Sequence, residues 1–146
     1  GQGMGPKSLQ ALVRMPLRAI EFGAAGGTNF AKLEHLRSDP SVSYKSPMIR
    51  IGHSAAQMNG YLRQILIQEQ DVRCANFIIS GGIQNYLDGY YLIKSCPGQA
   101  IYGQASAWLT YALESYEALE RYFVQQMQGL AMAYGFLTIR DDFNDD

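Results

Sequence analysis

The sequence predicts an α/β protein, because short apolar runs alternate with amphipathic helical patterns along its 146 residues. The run at 76–80 (NFIIS) ends in a glycine pair and is followed by a helical pattern, as is typical of a buried parallel strand that leads into a helix. A shorter run at 100–102 (AIY) has the same sequel. Parallel strands need both faces covered, and the helical patterns between the runs can supply that cover.

Composition and charge exclude several classes of protein. The 12 basic and 13 acidic residues are interspersed and give a net charge of −1, so we expect no nucleic-acid partner. The apolar runs are too short to span a bilayer, and no segment has the pattern of a signal peptide. We therefore expect a cytoplasmic protein in which Cys74 and Cys96 are reduced thiols. His35 and His53 lack acidic or cysteine partners at ligand spacing, so neither is predicted to bind metal or to act as a base.

The first elements are a short helix and a strand. Pro6 suits the first turn of a helix over 7–15, which Pro16 ends. Its buried stripe is formed by Leu9, Leu12 and Val13. A strand follows over 17–22, with Glu21 near its end as a structural carboxylate of the rim, or alternatively as a polar group beside a ligand.

A long loop over 23–52 follows, and its length is typical of a lid or a binding loop. It contains one possible helical turn at 30–37, and Asn29 is predicted to tether it. The next helix begins at the capping box formed by Ser54 and Gln57 and ends near Asp71. One face of this helix carries the apolar residues Met58, Leu62, Ile65 and Leu66.

The last third of the chain holds two further strand–helix units. After 76–80, a helix is predicted to begin directly at the glycine pair and to run to about Lys94, with Asp88 as a capping or solvated residue. After 100–102 comes a short helix in which Trp108 packs in the core. The final helix, from Ser115 to about Tyr134, has a predicted core stripe of Leu119, Phe123, Met127, Leu130 and Tyr134. Tyr86, Tyr90 and Tyr91 are predicted to pack or to lie at an interface.

Three parallel strands leave an uncovered face and an open edge. A closed (β/α)8 barrel takes about 250 residues, so we interpret 1–140 as the C-terminal part of such a barrel. The remaining residues, 141–146, form an acidic tail.

Two glycine turns indicate an anion site. Gly81-Gly82 and Gly103-Gln104-Ala105 each follow a strand, and the loops after neighbouring barrel strands often form a joint phosphate site. A third turn, Gly26-Gly27-Thr28, leaves the neighbouring strand at the same rim and can reach the rest of a cofactor. For a single Ser-Gly-Gly turn, the alternative is a tight connection without a ligand.

Seven segments in this order closely resemble the C-terminal part of type 2 isopentenyl-diphosphate isomerase, the FMN-dependent enzyme. They are 3–9 (GMGPKSL), 19–22 (AIEF), 26–30 (GGTNF), 51–53 (IGH), 79–83 (ISGGI), 87–89 (LDG) and 102–106 (YGQAS). The resemblance covers nearly the whole chain. The Ser-Gly-Gly turn alone would be shared with many FMN barrels.

The resemblance implies a (β/α)8 barrel that assembles into homo-oligomers and uses reduced FMN, Mg2+ and a reductant such as NADPH. Its substrate would be an isoprenoid diphosphate. Gly81, Gly82, Gln104 and Ala105 match the family's FMN-phosphate turns, and Gly26, Gly27 and Thr28 match the contact to the flavin side. The family's Mg2+-binding and diphosphate-binding residues and a flavin-binding lysine lie upstream of the matched part. No catalytic or metal-binding residue is therefore predicted in this chain, and the chain alone is expected to be inactive.

Two alternatives remain open. A truncated half-barrel without catalytic function could associate with itself to cover its strands. A different FMN barrel, such as a hydroxy-acid oxidase, would typically carry a catalytic histidine near the start of the chain, and residues 1–5 contain none.

Overall fold

The computed structural model describes residues 1–37 and 43–140, with the side chains of 43–46 left out of the description. The acidic tail at 141–146 and part of the 23–52 loop lie outside the described residues. Within them are six α-helices, three strands and a 3-10 helix at Ser43–Arg50. In chain order the helices and strands are α1 (Pro6–Val13), β1 (Ile20–Glu21), α2 (Phe30–Arg37), α3 (Ala55–Gln68), β2 (Asn76–Ser80), α4 (Tyr86–Ser95), β3 (Gln99–Gly103), α5 (Ser106–Glu114) and α6 (Tyr116–Phe136).

The strands form one parallel sheet in the order β1-β2-β3, which confirms the α/β class and the parallel pairing. Ile20 pairs with Phe77, and Ser80 pairs with Gly103 at the carboxyl end. β1 is shorter than predicted, although Phe22 and Ala24 continue the pairing by donating backbone hydrogen bonds to β2. The assignment to a (β/α)8 barrel stays a prediction.

The core lies on one face of this sheet. Phe77 and Ile79 on β2 are buried against residues of α1 and α3, among them Leu9, Met58 and Leu62. The opposite face carries the row formed by Glu21, Ile78 and Ile101, of which Ile101 is 62% exposed. The described helices thus cover one side of a parallel sheet and leave the other side open.

Several local predictions are confirmed. Ser54 and Gln57 form both hydrogen bonds of the capping box that begins α3. Asn29 tethers its loop, since its Nδ2 donates to the carbonyl of Ile49 at 2.7 Å. The two cysteines are free thiols, Cys74 buried and Cys96 half-buried.

The predicted start of α4 is wrong. The helix begins at Tyr86, because Asn85 is its N-cap and accepts hydrogen bonds from the backbone N–H groups of Leu87 and Asp88. Asp88 in turn accepts from the backbone N–H of Gln84 at 2.9 Å, which agrees with its predicted capping role. The glycine pair therefore lies in a turn ahead of the helix.

The predicted core stripe of α6 is also wrong. Phe123, Met127 and Tyr134 are each about half exposed. The buried residues are Ala118, Tyr122, Gln126, Gly129 and Ala133. Because α4 and α6 approach closely enough for the Tyr86 ring to lie against Gly129, small residues occupy the contact and the large apolar side chains flank it.

The aromatic residues of the last helices pack on one another, which confirms the predicted packing for Tyr90, whereas Trp108 is not in the core and Tyr91 is 50% exposed. Tyr90 is buried, and its ring meets that of Tyr134 edge-on. Trp108 is half-buried against Tyr122. None of the helices in 1–37 and 43–140 combines the length and apolar character that crossing a membrane requires.

Candidate functional site

A cavity of about 930 Å3 opens at the carboxyl ends of the strands, where α/β proteins commonly bind ligands. The structure brings all seven residues predicted to bind a cofactor into its lining: Gly26, Gly27, Thr28, Gly81, Gly82, Gln104 and Ala105. The three turns therefore meet at one rim. That they hold a cofactor stays a prediction.

The glycines of two turns lie back to back. A Cβ atom added to Gly26 would come within 2.6 Å of the Cα of Gly82. Gly82 has a φ of 78°, in the left-handed region that side chains other than glycine rarely adopt. An added Cβ there would also lie 3.0 Å from the carbonyl oxygen of Ala25. Glycine is therefore required for the close approach of the main chains, which exposes backbone rather than side chains to the cavity.

Backbone donors line this cavity at both turns. Apart from the bonds of the sheet and the helices, in which Gly81 continues the pairing of β2 with β3, no described backbone carbonyl accepts a hydrogen bond from the N–H groups of Gly82, Gln104 or Ala105. The last two residues precede or begin the first turn of α5, whose N-cap Ala105 offers no capping side chain and whose first turn contains no acidic residue. A helix N-terminus in this state carries partial positive charge, so this part of the rim favours an anion.

Two hydrogen bonds of Ser80 join β1 to β2 at the same rim. Ser80 donates its hydroxyl proton to Oε1 of Glu21 at 2.9 Å and accepts a hydrogen bond from the backbone N–H of Gly23 at 3.1 Å. Glu21 is thus the structural carboxylate that the sequence favours. Apart from Glu21, the described lining carries no acidic or basic side chain, so attraction for an anion rests on the backbone.

Sequence reasoning missed two residues that hold the side chain of Gln104. Gln84 presents its carbonyl oxygen to Nε2 of Gln104 at 2.6 Å, and Tyr122 of α6 lies 3.3 Å from the same nitrogen through its hydroxyl. Their separation from Gln104 in sequence carries no pattern, so only the register of β2 and β3, for Gln84, and the docking of α6, for Tyr122, reveal them. The side chain of Gln104 is consequently engaged within the protein, although the residue lines the cavity.

Comparisons with known proteins find relatives that share one name. No protein-family model matches the chain. The isopentenyl-diphosphate delta-isomerase of Deinococcus radiodurans is 30% identical over 144 residues, which are 97% of this chain and 40% of that protein. The enzyme of the same name from Mycolicibacterium vanbaalenii is 31% identical over 119 residues, which are 82% of this chain and 32% of that protein.

The chain therefore spans less than half the length of the curated relatives that it matches. The chain is thus similar, along more than four fifths of its length in each case, to two isopentenyl-diphosphate delta-isomerases.

Proposed function

We propose that this chain is the part of an FMN-dependent isopentenyl-diphosphate delta-isomerase that holds the phosphate end of the flavin. The carrying observation is that two glycine turns on neighbouring strands present unpartnered backbone N–H groups to one cavity. The relatives' name supports the isomerase activity and an isoprenoid diphosphate substrate.

The residues present fit FMN in two respects. A cavity of about 930 Å3 lies within the range of small-molecule sites, and its closest main-chain approach at Gly26 and Gly82 leaves no room for a Cβ atom. Gly81, Gly82, Gln104 and Ala105 would form the turns around the phosphate, with the backbone N–H groups of the last three as donors, and Gly26, Gly27 and Thr28 would line the flavin side. When bound in the reduced form, FMN supplies the acid–base chemistry that moves a double bond.

This chain's own contribution is binding and orientation. The uncapped N-terminus of α5 favours the phosphate, and the Glu21–Ser80 hydrogen bond fixes the end of β1 against β2. We propose that the additional length found in the relatives supplies the groups that bind Mg2+ and the substrate diphosphate, with NADPH as reductant, so that the 146-residue chain alone does not turn over substrate.

A flavin titration tests the proposal. The protein should quench FMN fluorescence on binding and should bind FMN more tightly than riboflavin, which lacks the phosphate. Gly82→Asp should abolish FMN binding, because it places a carboxylate beside the phosphate and forces a side chain into a left-handed conformation.

The matched control is Gly60→Asp, the same substitution on the exposed side of α3, where an added Cβ has no neighbour within 4 Å. This variant should bind FMN like the unmodified protein. An unchanged FMN affinity in Gly82→Asp would contradict the proposed phosphate site.

A second candidate function is self-association of a half-barrel without catalysis. The open face of the sheet, where Ile101 is 62% exposed, favours it. This candidate predicts that the chain associates with itself but does not bind FMN more tightly than riboflavin. The flavin titration therefore separates the two candidate functions.

A further inference from the structure

The side chain of Gln104 joins three parts of the fold at the cavity. Its Nε2 lies 2.6 Å from the carbonyl oxygen of Gln84, in the turn after β2, and 3.3 Å from the hydroxyl of Tyr122 on α6. Gln104 itself belongs to the turn after β3. We call this arrangement of Gln104, Gln84 and Tyr122 the Gln104 clip.

The orientation of the amide follows from its partners. A carbonyl oxygen can only accept, so the NH2 group of Gln104 has to face Gln84. Its Oε1 is then enclosed with no partner among the described residues. Since an unpartnered buried acceptor is unfavourable, the bonds made by Nε2 have to outweigh it for the side chain to stay in place.

Tyr122 provides a fixed anchor for the clip. The residue is 7% exposed, and its ring stacks on Tyr111 with the ring centroids 4.2 Å apart. Trp108 meets the other side of the cluster edge-on at 5.0 Å. The hydroxyl is therefore held by packing between α5 and α6, and a bond to it fixes the position of Gln104 relative to these helices.

We propose that Gln104 is a positioning residue that sets the distance between the two phosphate-binding turns. It ties the Gly81–Gly82 turn, through Gln84, to its own turn, so that both groups of backbone N–H donors converge on one anion. This inference rests on the proposed function. It assigns the role to the side chain of Gln104, which touches no ligand, while the backbone N–H contacts the phosphate.

The clip can be tested without ligand. Gln104→Leu removes both hydrogen bonds at similar size, so the backbone amide of Gln84, which is protected by its bond to Asp88, should exchange with deuterium up to about 10-fold faster, as expected for the loss of one or two neutral hydrogen bonds. Tyr122→Phe keeps the aromatic cluster and removes one bond, and it should produce a smaller increase at the same amide. Unchanged exchange in both variants would overturn the clip. Tyr122→Phe decides the matter if Gln104→Leu does not fold.

The functional arm compares the dissociation constants of FMN and riboflavin by flavin fluorescence. In Gln104→Leu the preference for FMN over riboflavin should fall about 3- to 10-fold, with riboflavin affinity nearly unchanged, because only the phosphate contacts are misaligned. The matched control is Gln128→Leu, on the exposed side of α6, which should keep the preference of the unmodified protein.

The outcomes separate this inference from the proposed function. Equal weakening of both flavins in Gln104→Leu would show a merely structural role and overturn the inference. A preference retained in Gln104→Leu would overturn it too, and the proposed function would stand. If the unmodified protein shows no preference for FMN, the proposed function and the positioning role both fail.

Discussion

At the scale of single residues, backbone conformations and hydrogen bonds that lie within one turn could be predicted from the sequence. Glycine pairs after strands indicate main-chain conformations closed to other residues, and Gly81 and Gly82 indeed have φ values of 95° and 78°. The Ser54–Gln57 capping box is equally local. The partners of Gln104 could not be predicted, because hydrogen bonds between turns depend on strand register and not on neighbours in sequence.

The ion pair between Arg14 and Glu69 is another long-range contact that no local pattern shows. Nη2 of Arg14 lies 2.6 Å from Oε2 of Glu69. The hydrogen bond from Arg14, assisted by the backbone N–H of Asp71, lowers the pKa of Glu69 from 4.5 to about 2. A carboxylate with a lowered pKa stabilises the fold above its unfolded-state pKa, and this contribution disappears as pH falls through the folded-state value.

We predict that Glu69→Gln lowers the free energy of unfolding at neutral pH. The difference from the unmodified protein should shrink as pH falls from about 4.5 to 2, because Glu69 is then protonated in both states. Urea unfolding at a series of pH values measures this. Glu120→Gln, an exposed position on α6, is the control for loss of one negative charge. A difference that stays constant down to pH 2 would be inconsistent with the Arg14–Glu69 bond as its source.

At the scale of elements, the existence and order of helices and strands were predictable, and their faces and ends were less so. α4 begins at Tyr86 because Asn85 caps it, which moves the helix start away from the glycine pair. The sequence pattern of α6 favours the largest apolar residues as its core, whereas Gly129 and the alanines form the contact. Close helix packing selects for small volume, and hydrophobicity alone does not report that requirement.

Two glycines of α6 should respond to alanine with opposite signs. A Cβ atom on Gly129 would lie 2.5 Å from the Cζ atom of Tyr86, so Gly129→Ala should destabilise the fold by about 1–3 kcal/mol through overpacking. Gly135 has open space around it, so Gly135→Ala should stabilise the fold by up to about 1 kcal/mol through helix propensity. Thermal or urea unfolding measures both, and equal effects of the two substitutions would refute the α4–α6 contact.

At the scale of the whole molecule, the parallel sheet followed from the alternation of patterns, and its incomplete cover followed from the number of strands. The described helices pack on the face that holds Phe77 and Ile79. Parallel sheets are ordinarily covered on both faces, so the row containing Ile78 and Ile101 needs a further layer. Which chain provides this layer is not encoded in any local pattern.

We predict that the isolated chain associates with itself through the open face. Sedimentation velocity should show a mass that rises with concentration, and Ile101→Lys should shift the protein towards monomer, since it places a charge on the face. Ile67→Lys, at an exposed position on α3, is the matched control and should leave association unchanged. If the unmodified chain sediments as a monomer at every concentration, this prediction is wrong.

The cavity itself is assembled from turns that are far apart in sequence, at 26–28, 81–84 and 103–106. The contact between α5 and α6, by comparison, joins neighbours along the chain. Closing a long loop costs more conformational entropy and therefore happens later in folding, whereas adjacent helices can dock early. The cavity should therefore be among the last features to form during folding, and a nascent chain with most of its helices in place would still lack it.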